Sequence, residues 1–150
     1  MALHLKTEID IDAPPEAVWA VLSDLPSYPN WNPFIREASG TLAEGERLEL
    51  EIQPTHGRAM RFKPTVLAAE PGRELRWLGR LLVRGLFDGE HRLAIEPATG
   101  GSRFIQEERF TGVLVPLLAR SLRRGTLPGF ERMNEAVKER VEAQTARAAA

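Results

Sequence analysis

A histidine, a glutamine and a glutamate interrupt what would otherwise be apolar strand faces. Over residues 86–97 the side chains alternate, with Phe87, Gly89, His91, Leu93 and Ile95 on one face and Asp88, Glu90, Arg92 and Glu96 on the other. Over residues 102–111, Phe104, Gln106, Glu108 and Phe110 share a face, so inward phenylalanines carry Gln106 and Glu108 inward with them. An unpaired buried polar group costs about 1–3 kcal/mol, so the three must pair or line a cavity. Three arrangements satisfy that demand. His91 bonds Glu108 or Gln106 inside a packed core; the three orient the polar end of a ligand in an apolar pocket; or a bulge turns Ile105 inward and sends Glu108 to solvent. If the site reacts, His91 and Glu108 are its general base and acid. A desolvated carboxyl titrates nearer neutrality, and an imidazole already does so. Proton transfer on an enolisable ketone needs little beyond that pair and a shaped cavity.

Other chemistry finds no support. The three histidines, His4, His56 and His91, fall on different elements without ligand spacing, so no metal is expected. With no cysteine there is no disulfide, thiol nucleophile or thiolate site. No phosphate-binding glycine loop, nucleophile elbow or dinucleotide fingerprint occurs, and no cofactor is expected. Twenty Lys and Arg against 21 Asp and Glu leave a net charge of -1, which gives no field for nucleic acid.

The elements that must position these residues follow from periodicity. At 150 residues, 43% hydrophobic and 27% charged, the chain is expected to form one soluble domain with one core. Leu3, Leu5, Ile9 and Ile11 alternate with polar residues as a half-buried strand. Residues 12–15 then stop it, and 16–22 carry Val18, Val21 and Leu22 at helical spacing with Asp12 or Ala13 near the N-cap. Residues 23–34 hold three prolines and three aromatics, which allows only a short helix or turn laying Tyr28, Trp31 and Phe34 on apolar surface. Six further strands are expected at about 35–40, 46–54, 58–70, 73–82, 86–97 and 102–111, joined by short turns as an antiparallel meander. Leu118, Leu122, Phe130, Met133, Val137 and Val141 then mark a long C-terminal helix. Gly125, Pro128 and Gly129 are expected to kink it or to set off a separate short helix near 117–124, and 146–150 to fray.

This order, with several motifs, resembles the START-related superfamily, which also takes in birch-pollen-allergen-like proteins and the polyketide cyclase/dehydrase and lipid transport proteins. The residues that carry the resemblance are Ile9-Asp10-Ile11-Asp12-Ala13-Pro14 with Val18-Trp19, the stretch from Asp24 to Trp31-Asn32-Pro33, Gly89-Glu90-His91-Arg92-Leu93, and Glu108-Arg109-Phe110-Thr111-Gly112. Together they span nearly the whole chain. The resemblance implies an α+β helix-grip fold, a curved seven-stranded antiparallel sheet around the C-terminal helix with two short helices between strands 1 and 2. It also implies a cavity between sheet and helix. Trp31, Phe34, Leu50, Phe62, Trp77, Phe87, His91, Phe104, Glu108, Phe110, Phe130 and Met133 then face that cavity, with Gln106 beside them.

The superfamily includes carriers, receptors and cyclases, so fold alone does not choose among functions. Binding or transport of a small hydrophobic lipid, polyketide or aromatic compound is the first expectation. A cyclase- or isomerase-like enzyme using His91 and Glu108 is the second, and a partner-binding domain with a collapsed cavity the third. Arg120, Arg123 and Arg124 beside Leu117, Leu118 and Leu122 make contact with an anionic membrane a minor expectation, against a helix face whose leucines simply meet the sheet. With neither a signal peptide nor a membrane span, a cytoplasmic location is expected. Nothing in the sequence specifies an oligomeric state.

Overall fold

The alternation of the first strand is realised as β1 (Ala2–Ile11), with Leu3, Leu5 and Ile11 buried. The structure is a computed structural model and describes residues 2–150. Helix α1 (Pro15–Ser23) buries Val18, Val21 and Leu22, with proline in its first turn, where the missing N–H costs nothing. Its N-cap is Pro14, in extended conformation, and not Asp12 or Ala13; no side chain caps it. A 3-10 helix over Leu25–Asn30 follows and delivers Tyr28, whose fully buried hydroxyl donates to the Leu22 carbonyl at 2.6 Å. Asn32 starts the next strand by accepting from the backbone N–H groups of Phe34 and Ile35 at 3.0 and 2.8 Å.

Seven more strands follow: β2 (Ile35–Ser39), β3 (Glu49–Ile52), β4 (Met60–Phe62), β5 (Thr65–Glu70), β6 (Glu74–Arg80), β7 (Asp88–Ala98) and β8 (Gly101–Thr111). The count is therefore eight rather than seven. The run expected over 58–70 is divided at Lys63-Pro64, where a buried proline supplies no N–H to a ladder. The strands form a five-stranded antiparallel sheet, β1-β8-β7-β6-β5, and a three-stranded one, β2-β3-β4. Backbone bonds from Gly45 to Val66, Val66 to Glu46 and Leu48 to Pro64 join the two at 2.8 to 2.9 Å, so the surface curls instead of ending.

The outer face of the large sheet is laced by charge. Arg92 donates to Glu74 at 2.8 Å and to Glu107 at 2.9 Å, tying β6, β7 and β8 together. The inner face meets α1 and one long helix, α2 (Val115–Ala149), which passes through Gly125, Pro128 and Gly129 without a break. No separate helix forms at 117–124, and the tail to Ala149 is helical. Pro128 removes only the bond to the carbonyl of Arg124, which lies on the exposed side where water can replace it. Gly129 is required by packing, since a Cβ there would lie 2.4 Å from the ring of Phe34.

Two apolar clusters result. The larger gathers α1, the 3-10 helix, the strands and the C-terminal half of α2 through Phe130, Met133, Val137 and Val141. The smaller joins Leu3, Leu5, Phe110 and Val115, with Phe87, Ala119, Leu122 and Leu127 packed on it.

Candidate functional site

Strands β7 and β8 pair without a bulge from Asp88 to Ala98, which places His91 directly opposite Glu108 and Leu93 opposite Gln106. The alternative in which a shifted strand sends Glu108 to solvent is thereby removed. Strand β1 flanks β8 on its other side, with Leu5 opposite Glu108 and Thr7 opposite Gln106. Gly89 makes room for the carboxyl, since a Cβ there would stand 2.7 Å from Glu108 Oε1. The acid is thus walled by an imidazole, a leucine and bare strand backbone.

The polar groups form one chain. Glu108 Oε2 lies 3.2 Å from His91 Nδ1, and His91 Nε2 lies 3.1 Å from Gln106 Oε1. Gln106 Nε2 donates to Asn134 Oδ1 at 2.6 Å and to the Phe130 carbonyl at 3.3 Å. Asn134 Nδ2 donates to Thr7 Oγ1 at 2.9 Å. His91, Gln106 and Asn134 are buried, whereas the Glu108 side chain keeps 13% exposure.

Burial decides the protonation. It pushes the Glu108 carboxyl up to about 8, aided by the Glu90 charge. It pushes the His91 imidazole down to about 4, partly opposed by the bond to Gln106. At neutral pH one proton therefore sits on Glu108 and the pair is uncharged. The directions of the bonds agree. With both Gln106 N–H groups committed, its oxygen must accept from His91 Nε2–H, which leaves Nδ1 unprotonated at 3.2 Å from Glu108 Oε2.

The larger cluster brings together Phe34, Leu50, Trp77, Phe104, Phe130 and Met133, with His91 and Gln106 among them. The imidazole sits 5.0 Å from the rings of both Trp77 and Phe130, and Phe34 meets Phe130 edge-on at 5.5 Å. Phe87 and Phe110 stack at 5.5 Å in the smaller cluster, and Glu108 lies at the seam between the two. Trp31 packs on the margin of the larger cluster, and half-buried Phe62 pairs with Leu50 at the sheet edge. Two grooves, of about 350 and 240 Å³, lie elsewhere. One is on the outer sheet face around His4, Arg92 and Glu107, the other beside Pro26, Pro29 and Glu37.

Asn134 and Thr7 complete the chain without having stood out in the sequence, yet each carries a signal there. Thr7 is the polar break in the apolar face Leu3, Leu5, Ile9, Ile11, and Asn134 falls among Phe130, Met133, Val137 and Val141 on the helix face that packs inward. Among the described residues no group of three or more His, Asp and Glu is placed to hold a metal ion, and no helix is long and apolar enough to cross a membrane.

A curved antiparallel sheet packed on one long C-terminal helix is the helix-grip architecture. The chain belongs to the family described as polyketide cyclase / dehydrase and lipid transport, whose model matches residues 2–149. No curated protein matches it. Among solved structures it is similar to the Zhui aromatase/cyclase from Streptomyces sp. R1128 (TM-score 0.78, 15% identity, 97% of this chain and 96% of that one). A protein from Thermus thermophilus is also similar (TM-score 0.74, 19% identity, 95% and 99%). The di-domain StfQ from the steffimycin pathway matches at TM-score 0.77 and 12% identity over 97% of this chain, which spans about half of that protein, 53%. At these identities the likeness is one of fold.

Proposed function

We propose that the protein binds a small hydrophobic molecule bearing a carbonyl or hydroxyl oxygen between sheet and helix, with its polar end at Glu108. The observation that supports this is a hydrogen-bonded chain running from Thr7 through Asn134 and Gln106 to His91 inside an apolar interior, with the protonated Glu108 carboxyl 3.2 Å beyond it on a side chain that keeps some exposure. A neutral carboxylic acid donates to a ligand oxygen without requiring a counter-charge. The aromatic side chains of Trp77 and Phe130, packed on His91, supply the apolar surroundings. Membership in a family that includes lipid transport proteins agrees with this reading.

Native mass spectrometry of gently purified protein tests it, together with a thermal-shift series of aromatic polyketide-like ketones and fatty acids. A copurifying or stabilising ligand whose effect weakens in Glu108→Leu supports the reading. No bound mass and no shift with any member of the series overturns it.

One observation favours a second, enzymatic reading. The proton of the pair rests on Glu108 beside an imidazole with a bare Nδ1, so Glu108 can protonate a ketone oxygen while its partner retains acceptor capacity. Turnover of a polyketide-type ketone by the wild type and not by Glu108→Gln tests it; equal rates in both dismiss it.

A further inference from the structure

From the end of the sheet toward which β8 runs past Glu108, a group of large apolar side chains projects into solvent. Leu81, Leu82 and Val83, in the turn between β6 and β7, are 46%, 85% and 64% exposed, and Val113 and Leu117, at the start of α2, are 74% and 82% exposed. The two segments abut, because Val113 N donates to the Gly85 carbonyl at 3.1 Å and Leu114 N to the Leu86 carbonyl at 3.2 Å. Scattered exposed leucines are ordinary; a cluster drawn from two hydrogen-bonded segments is not. Leu82 is also the one non-glycine residue with positive φ, +63°, among the described residues. That conformation is disfavoured for a bulky side chain, and here it accompanies a leucine turned into water.

The exposed charge around these side chains is basic. Residues 81–87 contain Arg84 and no acid, and residues 112–130 contain Arg120, Arg123 and Arg124 and no acid, in a chain whose net charge is -1. All four arginines are exposed, and none forms a salt bridge among the described residues. Asp88, the nearest acid in sequence, closes this turn by accepting from Gly85 N at 3.4 Å and faces Arg80 at 3.8 Å, with its side chain only 14% exposed. On α2, Leu117, Arg120 and Arg124 recur at spacings of three and four and share one side, whereas Val115, Ala119 and Leu122 pack on the smaller cluster.

We infer that this end of the molecule docks on an anionic phospholipid surface, with Leu82, Val83, Val113 and Leu117 entering the interface and the four arginines meeting lipid phosphates. Apolar tips ringed by unpaired guanidinium groups match a layer that is greasy within and negative at its surface. A second copy of the chain fits poorly, because a two-fold contact would set the arginines against themselves with no exposed acid in the patch to receive them, Asp88 being largely buried beside Arg80. The docking surface is built independently of the His91–Glu108 chain, so it does not rest on what the interior accepts.

Cosedimentation of the full chain with vesicles tests this, using phosphatidylcholine alone and phosphatidylcholine with about 30% phosphatidylglycerol, an anionic fraction that gives a marked surface potential. Binding to the anionic vesicles is expected to exceed binding to the neutral ones about tenfold and to weaken in high salt. Leu82→Asp/Val113→Asp and Arg120→Glu/Arg123→Glu/Arg124→Glu should each lose about tenfold while keeping the wild-type melting temperature, since every changed side chain is exposed. The inference fails if the wild type binds neither vesicle, or if both variants bind as it does. It fails equally if sedimentation velocity shows a wild-type dimer that Leu82→Asp/Val113→Asp dissolves, which would give the patch to a second copy.

Discussion

His91 Nδ1 and Glu108 Oε2 face each other across β7 and β8 at 3.2 Å, a spacing that fits an ion pair and a neutral hydrogen bond alike. Burial selects the neutral form, because both charged forms would lose hydration that one interaction does not return.

That choice sets the pH dependence of stability. Glu108 ionises near 4.5 when unfolded and near 8 when folded, so its contribution to stability declines as pH rises through this interval. His91 acts in the opposite sense between about 4 and 6.5, where the unfolded chain takes up a proton that the folded one refuses. The two offset each other from 4.5 to 6.5, and above 6.5 the Glu108 contribution alone continues to fall. Urea denaturation should show a loss of about 2 kcal/mol between pH 6.5 and 8 that Glu108→Gln abolishes. An unchanged slope in that variant would place the proton elsewhere.

The tautomer of His91 is open to direct observation. Nitrogen-15 NMR should find the ring neutral and protonated on Nε2 at about pH 7, and still neutral at about pH 5.5, since burial holds it down to about 4. A doubly protonated ring at the lower pH would mean that the pair is ionic.

Asn134 joins the helix to the polar chain through Gln106 and Thr7. Asn134→Leu strands one Gln106 N–H and should cost about 1–3 kcal/mol in chemical denaturation. Combined with Gln106→Leu, the loss should depart from the sum of the single changes by about 1 kcal/mol. Strict additivity would mean that the 2.6 Å bond couples nothing.

Gly129→Ala reverses the usual helical preference. Alanine is favoured over glycine inside a helix by about 1 kcal/mol, but here its Cβ meets the buried Phe34 ring at 2.4 Å. Overpacking of this kind costs about 1–3 kcal/mol, so a net loss of about 1–2 kcal/mol is expected in urea denaturation. A more stable variant would show that Phe34 has room to turn aside.

Much of this was legible in the sequence, and the reasons are particular. Strand phase alone put His91, Gln106 and Glu108 on one interior, because β7 and β8 run without a bulge from Asp88 to Ala98. The division at Lys63-Pro64 escaped the same reasoning, since a strand that changes partner leaves the hydrophobic alternation intact. The continuity of α2 through Pro128 also escaped it, because one lost hydrogen bond on an exposed side is overridden by the packing of Phe130 and Met133 just beyond. Asn134 was hidden among apolar helix neighbours. Its role depends on Gln106, which only the folded chain brings near.

Strand β1 has β8 as its neighbour in the large sheet, so the first strand to be made waits for the eighth. Such long-range pairing slows folding, because loop closure must be achieved before any contact rewards it. Thr7, His91, Gln106 and Asn134 can meet only after that closure. No partly synthesised or partly unfolded chain can therefore present the polar end of the interior, and the acid stays an ordinary ionised glutamate until the last elements dock.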